Sequence, residues 1–566
     1  MGRSDGRGRQ SLGFMTPFLR RKGNNRTFFF LAAGPVLAVA FTFIMPYAAS
    51  FLGALKSGGE ITVWENSGLL HITLFTIKQA FFSVLFSLAL GLPGAWFIGS
   101  RRTRFSPFLR TITAIPFAMP SILVVLGFVL FFGNSGWLNR FAAAFGGTEE
   151  GPFRILYKPE AIILAHGFLN FPLVIRLVGD GIERARRAYA PAAASLGASP
   201  FVITLTVILP LAVPALMSAV LLVFLYCFTS FAIVLVLGGG PASTTLPVEI
   251  YRHARIFLNY RNAGVLALTE TLIATSLFLS YAFFGKKSAA IKTDVRERMT
   301  EERGKTAASW IFTVAYGTAL AFFILGPMLS IPLESLLART SRSSERTLSF
   351  RWWLSLGDTC LPALCRSLIL AFFSAGMACV LAFLAAGSVK ILELQGRLSS
   401  PWADIIRFFA SAPVISSGIV LGLGWLILYG RNFSRAPPTL VMLHGVMALP
   451  FAFNFISEGF RSLPANTMNA AQVSGASPIR ALLSTALPLS LGRIRSAWGF
   501  AAALSLGELN AVMMLGIEDW ETLPLYIYRA VGAYRYGTAC AAGTLLILGC
   551  AAGFLLSDSG RRKHGA

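Results

Sequence analysis

Charge is scarce in this sequence. Only 13% of its 566 residues are Asp, Glu, Lys or Arg, against 55% hydrophobic, a balance that excludes an ordinary soluble domain. Acidic residues are the rarer sign, 25 against 49 basic. Histidine and cysteine are scarcer still, 5 and 6, and nowhere take a metal-ligand spacing, so no metal site is expected. Cys227, Cys379, Cys540 and Cys550 fall in apolar runs as small buried side chains, while Cys360 and Cys365 could pair, though nothing requires it. The few polar residues within the apolar runs supply no nucleophile with a paired base, which argues against an enzyme.

Long uncharged runs are abundant instead. A helix needs roughly 20 apolar residues to cross a bilayer, and FFFLAAGPVLAVAFTFIMPYA (28–48) is one such run. About twelve candidate spans follow, near 28–48, 71–99, 108–132, 160–178, 203–237, 264–284, 309–333, 364–387, 403–429, 439–457, 496–516 and 536–556. The fold class is therefore an all-α polytopic membrane protein. The spans at 71–99 and 203–237 are long enough to tilt or to leave the bilayer. The Arg-rich start could belong to a signal peptide, but its apolar run is too long, so an uncleaved first span is expected. With the N-terminus inside and the spans alternating, basic residues heavily outnumber acidic ones in the loops on that side and nearly balance them on the other. Both termini are thus expected in the cytoplasm. The net charge of +24 reads as a topology signal in contact with lipid, not as a nucleic-acid site.

One passage occurs twice. AAASLGASPFVITLTVILP (192–210) and AAQVSGASPIRALLSTALP (470–488) are 278 residues apart, from Gly197 to Gly475 and from Pro210 to Pro488. The register extends upstream to HGFLNFP (166–172) and HGVMALP (444–450). It divides the chain into two six-span halves, 1–285 and 309–566, joined by a charged cytoplasmic linker at 286–308. An even number of spans per half keeps both copies in one orientation, a parallel repeat about an axis along the membrane normal. Within each copy, near 180–210 and 458–488, Gly197 or Gly475 suits a left-handed helix end. Ser199–Pro200 or Ser477–Pro478 then suits the start of a new helix. A helix, a sharp corner and a second helix are predicted, with an Ala-rich turn that lets a partner approach. One copy would be a plain helical hairpin; two at matched positions favour docking of a two-fold symmetric partner.

These residues resemble the cytoplasmic-loop signature of ABC importer permeases. Ala192, Ala193, Gly197, Val207, Leu209 and Pro210 match in the first copy, and Ala470, Ala471, Gly475, Leu487 and Pro488 in the second. Pro191 and Asn469 replace the family's Glu, and Thr485 its Ile. The segments 164–177, 228–252 and 504–535 resemble fused thiamine permeases and, less closely, fused iron(III) permeases. The resemblance implies a type I importer permease fold in a bacterial inner membrane. It further implies two ABC ATPase subunits at the loops, a periplasmic or lipid-anchored binding protein outside, and ATP and Mg bound by the ATPase with no cofactor on this chain. RGKT (303–306) lacks the first Gly of a phosphate loop, since Met299 stands there, and KSGGE (56–60) only echoes the ABC signature.

An ion-coupled secondary transporter is the rival of another class; it needs a coupling-ion site, and only scattered Glu270 and Glu508 are offered. Ionisable residues within spans are costly. Glu508 beside Asn510, and Glu270, are candidates for the translocation pathway, against the alternative of interhelical bonding. His166 and His444 read as interhelical hydrogen-bonding residues, and Gly418 with Gly422 and Gly549 with Gly553 as close-packing contacts.

Overall fold

The computed structural model describes residues 25–562 except 57–61, 64–67, 101–108, 111, 114–115, 117–118, 147–150, 241–242, 290–306, 340–345, 395–400, 435–436, 464–465 and 517–519. Most of the 286–308 linker, the RGKT segment and all but the first residue of KSGGE lie outside the described residues.

Among the described residues, ten helices are long and apolar enough to cross a membrane. The pair Pro401–Ile415 and Gly418–Gly430, bent by 100°, brings the number to eleven if it is counted as one span. The remaining expected span, 496–516, corresponds to helix Leu487–Gly507, which begins with Arg493 and Arg495 in its first half and is not among the ten. The run at 203–237 is broken: helix Leu209–Phe228 stops and a short helix, Ala232–Leu237, follows. The same break separates Leu487–Gly507 from Asn510–Leu515. The only strands among the described residues, Leu337–Arg339 and Arg346–Leu348, form an antiparallel pair.

The 278-residue register governs structure as well as sequence. Helices Pro200–Ile203, Leu209–Phe228 and Ala232–Leu237 recur as Pro478–Ala481, Leu487–Gly507 and Asn510–Leu515. Helix Gly68–Ser100 packs on Pro159–Ser195, as Gly357–Leu394 packs on Pro437–Ser462. Likewise Leu209–Phe228 packs on Tyr260–Ala289, as Leu487–Gly507 packs on Tyr536–Arg562. Thr76 in the first half accepts a bond from the Leu246 amide at 3.1 Å, and Ser367 in the second accepts one from Leu523 at 2.8 Å.

The first span of each half crosses over. Helix Met45–Lys56 packs on Gly418–Ser434, and helix Ala307–Ser335 on Ser121–Phe132. Both contacts set a glycine against a proline of the crossing span: a Cβ on Gly424 would overlap the Pro46 carbonyl, and one on Gly127 would lie 2.6 Å from the Pro327 carbonyl oxygen. Pro46 has no N–H to donate to the carbonyl of Thr42, four residues earlier. Trp425 Nε1 donates to that oxygen at 3.0 Å. The turn before it is a π-helix, Ala40–Ile44, in which the Met45 amide bonds Ala40 and leaves the Phe41 carbonyl to the Tyr429 hydroxyl, at 2.8 Å. Backbone polarity freed by proline is thus satisfied by side chains of the opposite half, as a low-dielectric setting demands.

Candidate functional site

Both repeated corners are built as their sequences require. Gly197 and Gly475 have φ of +85° and +92°, a region that Cβ-bearing residues resist. The amides of Gly197 and Ala198 bond the carbonyls of Ala194 and Ala193 at 2.9 and 3.2 Å. Those of Gly475 and Ala476 bond Gln472 and Ala471, both at 3.0 Å. This double bond pattern is a Schellman cap. The second Ala of each signature is its far acceptor, so the fixed Ala-to-Gly spacing is the spacing of the cap. Ser199 then accepts from the Val202 amide at 3.4 Å, and Ser477 from Arg480 at 3.3 Å, with Pro200 and Pro478 in the first helical turn.

Beyond each cap lies a π-helix, Thr204–Ile208 or Leu482–Ala486, ending two residues before Pro210 or Pro488. The prolines of the Leu-Pro signature therefore follow a widened turn, whose hydroxyls return to the backbone: Thr206 Oγ1 to Val202 at 2.7 Å, and Ser484 Oγ to Arg480 at 2.6 Å. Ala192, Gly197, Ser199, Pro200 and Pro210 are exposed and Ala193 half-buried; Ala470, Gly475, Ser477 and Pro488 are exposed, and Ala471 and Pro478 half-buried. Upstream of the second corner, the first helix of the predicted pair is a short one, Asn466–Val473. In the first copy, the corner terminates one continuous 37-residue helix, Pro159–Ser195, with Pro191 inside it.

Glu270 and Glu508 approach the same break, that of the bent pair at 416–418. Glu508 is half-buried between helices Leu487–Gly507 and Asn510–Leu515, and its Oε1 accepts from the Ala511 amide at 3.2 Å. A Cβ on Gly418 would lie 3.0 Å from that oxygen. Asn510 is beside it, half-buried, with Oδ1 buried and unpartnered. The neighbouring Gly507 abuts Pro120 of the first half, so the break touches both halves. Glu270 is only 1% exposed; the Ser417 hydroxyl faces its carboxylate, and its Oε2 has no partner. The adjacent Thr271 hydroxyl donates to Tyr47 at 3.0 Å. Neither carboxylate has an ion pair among the described residues.

His166 and His444 make the interhelical bonds expected of them, His166 with Ser83 at 3.2 Å and His444 with Ser505 at 2.9 Å. Gly422 abuts Met514, and Gly553 approaches the Gly499 carbonyl at a would-be Cβ distance of 2.8 Å, as close-packing contacts do. Cys360 and Cys365 are both free thiols.

Sequence reasoning passed over a further matched pair, LPVEIYR (246–252) and LPLYIYR (523–529). These open helices Leu246–Tyr251 and Leu523–Gly532. Tyr251 and Tyr528, one from each copy, come within electrostatic reach of one another. The buried Glu249 accepts from Thr244 at 2.8 Å and Arg252 at 2.6 Å. The near-identity of the two heptapeptides at a spacing of 277 was the available signal.

Two matched, cap-built corners thus recur on a helical chain whose first spans cross over. Residues 91–287 match the family of binding-protein-dependent transport system inner membrane components. The chain is an ABC importer permease, a multi-pass membrane protein. It is similar to the thiamine transport system permease protein ThiP of Haemophilus influenzae, 26% identical over 92% of this chain and 94% of that one. ThiP of Brucella suis is 29% identical with the same coverage. A putative 2-aminoethylphosphonate permease, PhnU of Salmonella typhi, is 29% identical over 47% of this chain and 92% of its own length, as a single-half relative would be. A solved inward-facing MetNI methionine ABC transporter chain covers 42% of this chain at 19% identity, with a TM-score of 0.29.

Proposed function

We propose that this permease imports thiamine or a phosphorylated derivative across a bacterial inner membrane. A periplasmic or lipid-anchored binding protein delivers the substrate. Two ATPase subunits, which carry the ATP and Mg, dock at the corners around Gly197 and Gly475 from the cytoplasm, where both termini and the 286–308 linker also lie. ATP-driven closure moves the corners and the spans fused to them, so ATP at one face and loaded receptor at the other bias a two-state equilibrium. The observation that carries the substrate is the near full-length likeness to thiamine permeases, which spans both halves and both breaks.

Glu508 is the pathway group of this reading, because it is half-buried at a break that meets both halves and has a second oxygen to offer a cationic thiazolium. Its bond to Ala511 is the competing structural role. Glu508→Gln separates the two: the amide oxygen can still accept from Ala511, but the charge is gone. Transport should fall at least about tenfold, the order expected for loss of one charged contact, with purification yield unchanged. The primary test is ATP-dependent uptake of radiolabelled thiamine into proteoliposomes holding the permease, its binding protein and its ATPase. Uptake of ferric iron without thiamine in the same preparation would reverse the assignment.

A further inference from the structure

We infer that the two docking corners are unequal: the first supplies most of the binding strength for the ATPase pair, and the second is a compliant contact. The inference rests on the docking reading above and concerns how each corner meets one subunit of that pair.

The two corners share a backbone but not a surface. The first presents Leu196, 88% exposed, and Phe201, 74% exposed, with the exposed Val202. The positions 278 residues later hold Ser474, Ile479 and Arg480. The second corner offers the exposed Val473 where the first has Ser195. A few side chains that become fully buried at the centre of an interface carry most of its affinity, and only the first corner presents an aromatic one, Phe201. Leu196 and Phe201 lie uncovered by the described residues, and an ATPase pair with two like grooves would meet Leu196, Phe201 and Val202 on one side and Val473, Ile479 and Arg480 on the other.

The supports differ in the same direction. Below the first corner, Arg110 bridges Asp180 at 3.1 Å and Glu183 at 3.0 Å, and Arg187 pairs with Glu183. Arg186 donates to the Ser100 carbonyl, and Arg184 to Ser288 Oγ at 2.9 Å. These contacts tie helix Pro159–Ser195 to the spans on either side of it. One exposed ion pair contributes little, but a network that spans several elements fixes orientation. At the matching positions the second half has Glu458, Arg461, Ser462, Pro464 and Ala465. Of these only Glu458 has an ion pair among the described residues, with Arg493 at 3.6 Å, so the second half builds no comparable network. Helix Pro437–Ser462 ends there, and a separate helix starts at Asn466. A corner held in its bound orientation loses less freedom on binding than a jointed one.

The test uses full-length permease in nanodiscs and the ABC ATPase that co-purifies with it, identified by its phosphate-loop sequence and then purified separately. Leu196→Ala with Phe201→Ala should weaken ATPase binding by about tenfold or more, and Val473→Ala with Ile479→Ala by less than about threefold. Transplanting the first surface onto the second corner, as Ser474→Leu, Ile479→Phe and Arg480→Val, should restore binding to the first double variant. Hydrogen exchange on the free permease supplies an independent reading: residues 180–195 should exchange more slowly than 466–473. Equal losses from the two double variants, or equal exchange in the two segments, would overturn the inequality and leave docking intact. No loss even when all four substitutions are combined would overturn the docking reading itself.

Discussion

At the scale of single residues, the corners depend on backbone conformation and not on space. A Cβ at Gly197 or Gly475 meets no atom within 4 Å, so any cost of substitution comes from φ alone. Valine should therefore cost about 1–2 kcal/mol at either position, whereas asparagine, which tolerates the left-handed region, should cost less. Receptor-stimulated ATP hydrolysis in reconstituted transporter is the measurement. Gly197→Val and Gly475→Val should each lose coupling, and Gly197→Asn should retain more of it; equal behaviour of Val and Asn would show that φ is not the constraint. The sequence supported this directly, because a Schellman cap followed by Ser-Pro is specified by adjacent residues. It did not reveal that Glu270 and Glu508, 238 positions apart, approach one break. Nothing local to either glutamate encodes its neighbours.

At the scale of elements, proline and glycine set how the helices join. Pro46 frees the Thr42 carbonyl, Trp425 claims it, and Gly424 admits the proline backbone. Trp425→Phe keeps the packing but removes the donor, and leaving a buried carbonyl unpaired should cost about 1–3 kcal/mol. Gly424→Ala should cost a similar amount through overpacking. Both are read as a lowered midpoint of thermal unfolding in detergent. A variant with an unchanged midpoint would mean that the first span does not bear on Gly418–Ser434. The helices themselves were legible from apolar run length. Their breaks were not, because the broken 203–237 run is as apolar as a continuous span, and in 496–516 only Glu508 and Asn510 mark the interruption.

At the scale of the whole molecule, the crossed first spans make each half incomplete alone. Severing the chain within 290–306 and co-expressing the two fragments should give a complex that co-purifies through a tag on either piece, since helices Met45–Lys56 and Ala307–Ser335 each pack on the opposite half. Deleting residues 1–60 from the first fragment should weaken that association. Fragments that separate in mild detergent would contradict the crossed arrangement. Cysteine labelling in intact cells examines the orientation: residues 196 and 474 should react only after permeabilisation, and residues 258 and 534 from outside.

The sequence by itself determined that this is a polytopic membrane protein, that it is a tandem repeat, and that each copy carries one capped corner. Each of these follows from composition, from spacing, or from hydrogen bonds among residues fewer than ten positions apart. The tertiary structure alone decided which helices touch: the crossing of the first spans, the approach of two glutamates to the 416–418 break, and the fusion of the first corner, but not the second, to its span. Apolar side chains look alike along a hydrophobic run, and between spans it is shape, a glycine admitting a proline or a carbonyl left without its amide, that selects the partner.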